Sequence, residues 1–297
     1  MLLYLSESVA SVARRHRLIQ QGDTMEEQTH TERRVSALEV LHGFMAGEHD
    51  PERSALAMQR RHGALGSFAI DVVMGDVWAR PQFSRRDRSL IVISVLAAIG
   101  SDEELSLHTN VGLNHGLTRT EIEEILLHVA VYAGFPMAMK ASRVVDDRFC
   151  QIDGVDRLHE RAPSAFRDDA ERRAAACDVR RTLTSGRSNP DPDGDFSAFV
   201  DRLGEVGRVA YQWAFGDVWS RDELSRRDRS IAVIAILTAL SRVDELAFHV
   251  PASLNHGLSR VEVEEIMVQM TIYGGVPRAI EGTLAMQEAF AKIDARE

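Results

Sequence analysis

Gly75-Asp76-Val77-Trp78 returns unchanged as Gly216-Asp217-Val218-Trp219, 141 residues further along the chain. The same offset carries Ser84-Arg85-Arg86-Asp87-Arg88-Ser89 onto Ser225-Arg226-Arg227-Asp228-Arg229-Ser230, and Asn114-His115-Gly116-Leu117 onto Asn255-His256-Gly257-Leu258. Glu104, Leu105 and His108 fall on Glu245, Leu246 and His249; Tyr132, Gly134, Pro136 and Ala138 fall on Tyr273, Gly275, Pro277 and Ala279. No gap is needed from about residue 65 to 146, so the chain is an internal duplication.

Upstream the match weakens but continues, Arg33-Arg34 through Val40 against Arg172-Arg173 through Val179. This sets a first domain over 25–152 and a second over 153–297, joined near Asp153–Pro163, with Ser185–Asp195 expected as a loop opposite Gly47–Pro51. Residues 1–24 have no matching partner and stay unassigned; Met25 is a candidate start. Duplicated domains retain self-complementary faces, so the two copies are expected to pack as a pseudo-dimer.

The local signals are helical. Ser84 and Ser225 precede an acid at the third helical position and then an apolar run. Thr118-x-x-Glu121 and Ser259-x-x-Glu262 are capping boxes that restart helices after Gly116 and Gly257. Val131–Pro136 and Ile272–Pro277 each carry Gly and Pro and predict a turn before a last helix. No useful alternating pattern is present, so the fold is expected to be all-α with about six helices per repeat.

With 297 residues, 44% hydrophobic and 27% charged, the composition is that of a soluble globular chain, and a net charge of −10 argues against nucleic acid or an anionic membrane as partner. The longest apolar runs, Leu90–Ile99 and Ile231–Leu240, are about half of the roughly 20 residues a membrane span needs and read as buried helices. Met1–Leu5 is too short an apolar stretch for a secretory signal, and Cys150 and Cys177 form neither a disulfide framework nor a Cys-x-x-Cys pair; a reducing cytoplasm is the expected compartment.

Glu104/His108 and Glu245/His249 are spaced i,i+4, which puts a carboxylate and an imidazole on one helix face as an acid/base unit. The plainer reading is a small stabilising contact on a surface helix. Arg242 precedes Glu245 where the first copy has Ser101. Arg88 and Arg229, one turn inside helix starts that disfavour cations, are candidates to bind a carboxylate. His115 and His256 suit a helix C-terminus; Trp78, Trp219, Tyr132 and Tyr273 suit either core or pocket walls. His108 and His115 are seven residues apart, about 10.5 Å along a helix axis, too far for them to share one metal ion with Glu104.

Taken together, Gly-Asp-Val-Trp, Ser-Arg-Arg-Asp-Arg-Ser, Glu-Leu-x-x-His, Asn-His-Gly-Leu and Tyr-x-Gly-x-Pro-x-Ala resemble the γ-carboxymuconolactone decarboxylase family. The resemblance implies the AhpD-like all-helical fold and ring assemblies, often hexamers of single domains, so three tandem chains are expected to associate as a homo-oligomer. In the thiol-peroxidase branch, Cys-x-x-Cys and an upstream glutamate occupy places held here by Ser101 and Glu104, Arg242 and Glu245, and Ser89 and Ser230, which excludes that chemistry. The implied reaction is a cofactor-free decarboxylation of a carboxylated, enolisable lactone. His249 would donate the proton, Glu245 orient it, and Arg229 and Arg242 anchor carboxylate; His108 and Glu104 would do the same in the first copy. Two other readings are a cofactor-free tailoring enzyme for a polycyclic intermediate and a non-catalytic scaffold with a filled pocket around His249.

Overall fold

Helix signals that recur at one offset build the same helices twice. The computed structural model describes residues 28–47, 49–156 and 167–295; the unassigned residues 1–24 and the part of the expected join from 157 to 163 lie outside them. Among the described residues every regular element is helical. The chain forms two compact units, Met1–Arg85 and Arg86–Glu297, a division inside the first repeat.

The first unit holds α1 (His30–Phe44), α2 (Pro51–His62) and α3 (Ala64–Phe68), which runs on into a π-helical segment, Ala69–Trp78. Thr29 and Glu32 close a capping box at the start of α1, and Asp50 with Pro51 starts α2. Ala37, Leu41, Ala55 and Ile70 form the core of this unit, with Trp78 edge-on to Phe44 at 4.7 Å.

In the second unit α4 (Arg85–Ile99, from Arg86 on), α5 (Asp102–Asn114), α6 (Arg119–Tyr132) and α7 (Phe135–Asp153) complete the first repeat. The second repeat follows whole: α8 (Asp169–Leu183), α9 (Pro192–Val209), π-helical Ala210–Trp219, α10 (Arg226–Ala239), α11 (Val243–Asn255), α12 (Arg260–Met270), a π turn at Thr271–Gly275, and α13 (Val276–Asp294). The apolar runs become α4 and α10, buried from Asp87 to Ala98 and from Asp228 to Ala239, helices enclosed on all faces. Thr118 and Ser259 cap α6 and α12 through the two expected boxes, and Ser225 caps α10.

Several boundaries differ from expectation. Asp191 caps a helix that begins at Pro192, inside the stretch expected as loop, because proline is well placed in a first helical turn. Gly63 and Gly204, 141 residues apart, both take positive φ and break what would have been one helix. Pro251 lies within α11, where it removes one backbone donor a half-turn after His249; its counterpart is Asn110.

Gly-Asp-Val-Trp now has a physical reading. A Cβ on Gly216 would stand 2.6 Å from the Arg172 carbonyl oxygen, and one on Gly75 the same distance from that of Arg33. The π-helical segments therefore approach α8 and α1 closely through glycine. Asp217 accepts from Arg172 Nε at 2.9 Å. Gly216→Ala is expected to lower stability by about 1–3 kcal/mol, the usual cost of overpacking, read as a fall in the urea midpoint at unchanged slope.

Within the second unit the copies meet reciprocally. Arg86 reaches Asp228 at 2.9 Å, and Arg227 reaches Asp87 at 3.2 Å. Arg86 also pairs with Glu121, and Arg227 with Glu262 at 2.5 Å. Each residue of these pairs maps onto its opposite number by 141, the signature of a local two-fold.

Candidate active site

Arg88 and Arg229 sit in the buried faces of α4 and α10, each 0% exposed. An arginine there stays charged and needs a partner. The opposite repeat supplies it. Arg229 donates to Glu124 Oε2 at 3.0 Å and meets His128 Nε2 at 3.0 Å, both on α6, and also donates to the Arg221 and Leu224 carbonyls. Arg221 Nε takes the other Glu124 oxygen at 2.7 Å. Arg88 donates to Glu265 at 2.9 Å and to Gln269 Oε1 at 3.0 Å on α12. The carboxylate against each arginine is thus the chain's own.

Across the same junction, Tyr132 Oη lies 3.3 Å from His249 Nε2, and Tyr273 Oη lies 3.4 Å from His108 Nε2. Both histidines are buried. The Trp219 indole N–H donates to Tyr132 Oη at 3.0 Å. Since that N–H only donates, the tyrosine proton is left to bond His249 Nε2. Trp219 stacks over His249 with centroids 6.0 Å apart, and His128 stands edge-to-face with Trp219 at 5.2 Å. Tyr132, His249, Trp219, His128, Arg229 and Glu124 therefore form one contiguous cluster with members from both repeats.

His256 anchors its rear. Its Nδ1 is 2.7 Å from Ser230 Oγ and its Nε2 is 3.0 Å from Thr182 Oγ1. Thr182 gives its own proton to the Val179 carbonyl and accepts from Arg226, so His256 Nε2–H donates and Ser230 O–H bonds Nδ1. In the first repeat Ser89 Oγ lies 2.8 Å from His115 Nδ1. The serines at the upstream-acid positions thus fix the Asn-His-Gly histidines.

Burial pushes His249 down to about 3, with repulsion from His256 adding to it. His108 goes down to about 3 by burial and then by His115. His256 falls to about 4, by burial and by Arg226. Burial raises the Tyr132 hydroxyl, against a smaller opposing effect of the Trp219 bond. All three histidines are neutral in the fold at pH 7. An unfolded chain, whose histidines titrate near 6.5, binds more protons below that pH. Stability is therefore full above about 6.5 and falls as pH drops towards 3–4, by roughly 2 kcal/mol per buried histidine between pH 7 and 5. Urea midpoints measured at pH 7.5, 6 and 5 should decline in that order.

Other expected site residues lie elsewhere. Glu104 and Glu245 are solvent-exposed, and among the described residues neither makes a hydrogen bond or ion pair with the histidine one turn on. The i,i+4 spacing sets both on one face, but the carboxylate stays in water while the ring turns into the inter-repeat junction, where tyrosine meets it. Arg242, the N-cap residue of α11, is exposed and without an ion pair among the described residues. Trp78 is buried in the first unit. Sequence reasoning missed Glu124, His128, Glu265 and Gln269. The available signal was a polar i,i+4 pair beside Ile125, Leu126 and Val129, set against an arginine inside an apolar helix.

A cavity of about 610 Å³ opens beside this junction, lined by Ala130, Val131 and Phe135 from α6–α7 and by Val206, Val209, Ala210, Trp213 and Ala214. Glu205 is the charged residue in that lining, which contains no arginine or histidine. Among the described residues no three His, Cys, Asp or Glu side chains converge as a metal site, and no helix is long and apolar enough to cross a membrane.

The model of the carboxymuconolactone decarboxylase family matches residues 64–147 and again 204–288. The first match contains His108, Glu124, His128 and Tyr132; the second contains Trp219, Arg229, His249, Glu265, Gln269 and Tyr273. A 4-carboxymuconolactone decarboxylase of Acinetobacter baylyi is 34% identical over 103 residues, which cover 35% of this chain and 77% of that protein. Nitrosuccinic acid decarboxylase npaB of Metarhizium robertsii is 42% identical over 67 residues, 23% of this chain and 47% of that protein. With both repeats matched in register and the motifs accounted for by buried contacts, the chain belongs to the carboxymuconolactone decarboxylase family, as a tandem duplication.

Proposed function

We propose that this chain is a cofactor-independent carboxy-lyase that removes carbon dioxide from a small carboxylated molecule able to accept the released electron pair itself. The observation that carries the reading is the buried tyrosine–histidine pair, formed twice across the repeats and lying within both family-matched segments. The substrates named by the two relatives share the required chemistry. In one the unsaturated lactone takes the electrons. In the other it is a nitro group, which must stand beside a carboxyl because both inner carbons of the four-carbon diacid do.

The step balances without an oxidant or metal. The C–CO₂⁻ bond breaks, its electron pair passes into the sink, CO₂ leaves, and the carbon takes one proton. His249 is neutral in the empty site, but an anionic substrate beside it raises its proton affinity. His249 then delivers the proton, with the Tyr132 hydroxyl holding Nε2 in place, and water restores it. Burial keeps the site dry and strengthens each electrostatic contact. Of the three arginines expected to hold a carboxylate, Arg242 is the one without an ion pair among the described residues, because Arg229 and Arg88 are committed to Glu124 and Glu265.

The test is CO₂ release by the full chain from 4-carboxymuconolactone and from nitrosuccinate, each with and without EDTA. Release from either, unchanged by chelation, supports the reading; no release from both overturns it. The cavity beside Val131 and Trp213 favours a second reading, a cofactor-free enzyme for a larger apolar enolisable ring compound. Proton exchange into such a ring without CO₂ release would distinguish it. The proposal includes self-association as a trimer of 33.1 kDa chains, expected near 100 kDa by light scattering, with a monomer at micromolar concentration counting against it.

A further inference from the structure

Two buried polar atoms at equivalent places lack a partner. His128 and Gln269 are related by the 141-residue offset, and each is 0% exposed. His128 receives the Arg229 guanidinium on Nε2, and Gln269 receives the Arg88 guanidinium on Oε1. Neither His128 Nδ1 nor Gln269 Nε2 has a hydrogen-bond partner among the described residues.

The chemistry of the two is the same. A guanidinium only donates, so His128 Nε2 accepts and carries no proton, and the ring proton is on Nδ1. Gln269 accepts through its oxygen, which leaves its NH₂ as the donor. Different side chains thus present a buried N–H in each half, backed by an arginine–glutamate pair. Leaving such a donor unsatisfied forfeits the hydrogen bond it made to water, and here it happens twice at one position of the repeat. Arg229 fixes the tautomer and draws electron density from the ring, which strengthens the N–H as a donor. Burial and the Arg229 charge keep His128 neutral, so that proton is present across the working pH range. The ring lies at the candidate site, stacked on Tyr132 at 6.3 Å and edge-to-face with Trp219 at 5.2 Å.

We propose that His128 Nδ1–H and Gln269 Nε2–H are oxyanion donors, each bonding the oxygen of the lactone carbonyl or nitro group that becomes negative as CO₂ leaves. This rests on the decarboxylase reading for its substrate class. The donor acts where charge develops, so it lowers the barrier more than it tightens binding. Arg229 and Arg88 are then positioning residues, acting through His128 and Gln269.

The test uses the full chain and has three parts. Nitrogen-15 NMR of histidine-labelled protein should show His128 protonated on Nδ1 and bare on Nε2. The opposite tautomer overturns the proposal whatever the substrate. With whichever of 4-carboxymuconolactone or nitrosuccinate is turned over, His128→Leu should lower kcat about 10²–10³-fold, the cost of one oxyanion donor, with a smaller change in KM. His128→Gln, which copies the Gln269 arrangement, should recover most of that loss. A normal kcat in folded His128→Leu overturns the donor role and leaves the decarboxylase reading intact. If neither compound is turned over, titration of the wild-type chain with 3-nitropropanoate, the product-shaped anion of the nitro substrate, decides. A downfield shift of the His128 Nδ1 proton, lost in His128→Leu, supports the donor while the decarboxylase reading fails; no response to any of the three compounds overturns the donor.

Discussion

His249→Ala should remove most turnover, by the roughly 10²–10⁴-fold associated with a lost general acid, while His108→Ala costs much less. Both histidines are buried against a tyrosine of the other repeat, at 3.3 and 3.4 Å, so the pairs alone do not separate the halves. One neighbouring difference does: Arg242 is the N-cap residue of α11, where Ser101 precedes α5. It adds a cation for a substrate carboxylate. The measurement is kcat and KM for both single variants and the double, with melting temperatures alongside. Two working sites would show as about half the rate lost in each single variant and nearly all in the double. The reverse order would move the reaction to His108, and normal rates throughout would make both rings structural.

Glu124→Ala should be the most destabilising single change in the cluster, by about 3–5 kcal/mol, because it strands a buried charge rather than merely deleting a contact. Arg229 is fully buried, and Glu124 accepts from both Arg229 and Arg221 at 3.0 and 2.7 Å. Without it, Arg229 keeps its two backbone carbonyls, His128 and only the weaker attraction of Glu223. The check is a urea titration of Glu124→Ala and Arg229→Met, singly and together. The double variant should be more stable than the Glu124→Ala single, since it removes the stranded charge as well. A double that is worse than both singles would show that packing, not charge, dominates there.

The halves of the junction also show what duplication preserves. Leu41 and Ile70 make the first unit's core apolar, whereas Arg180, Asp195 and Tyr211 join through hydrogen bonds of 2.7 and 2.9 Å in the second repeat. The reciprocal Arg–Glu and Tyr–His contacts, by contrast, are kept in both copies. Within the junction the arginine's second partner has diverged, His128 against Gln269, while the Arg–Glu and Tyr–His contacts are retained.

By itself the sequence determined the duplication, by direct comparison of stretches 141 residues apart, and the helical class, the capping boxes at Thr118 and Ser259 and the burial of α4 and α10, each of which rests on spacing within about a dozen residues. It also singled out His108, His249, Arg88 and Arg229. Their partners were decided only by the tertiary structure. Spacing along one helix joins Glu245 to His249, yet the partner of His249 is Tyr132, 117 residues away, and that of Arg229 is Glu124, 105 residues away. A helix face records which residues turn inward together; it does not record what stands opposite. That depends on how one repeat docks on the other, where the cost of burying a guanidinium selects the carboxylate and exposure leaves Glu104 and Glu245 in water.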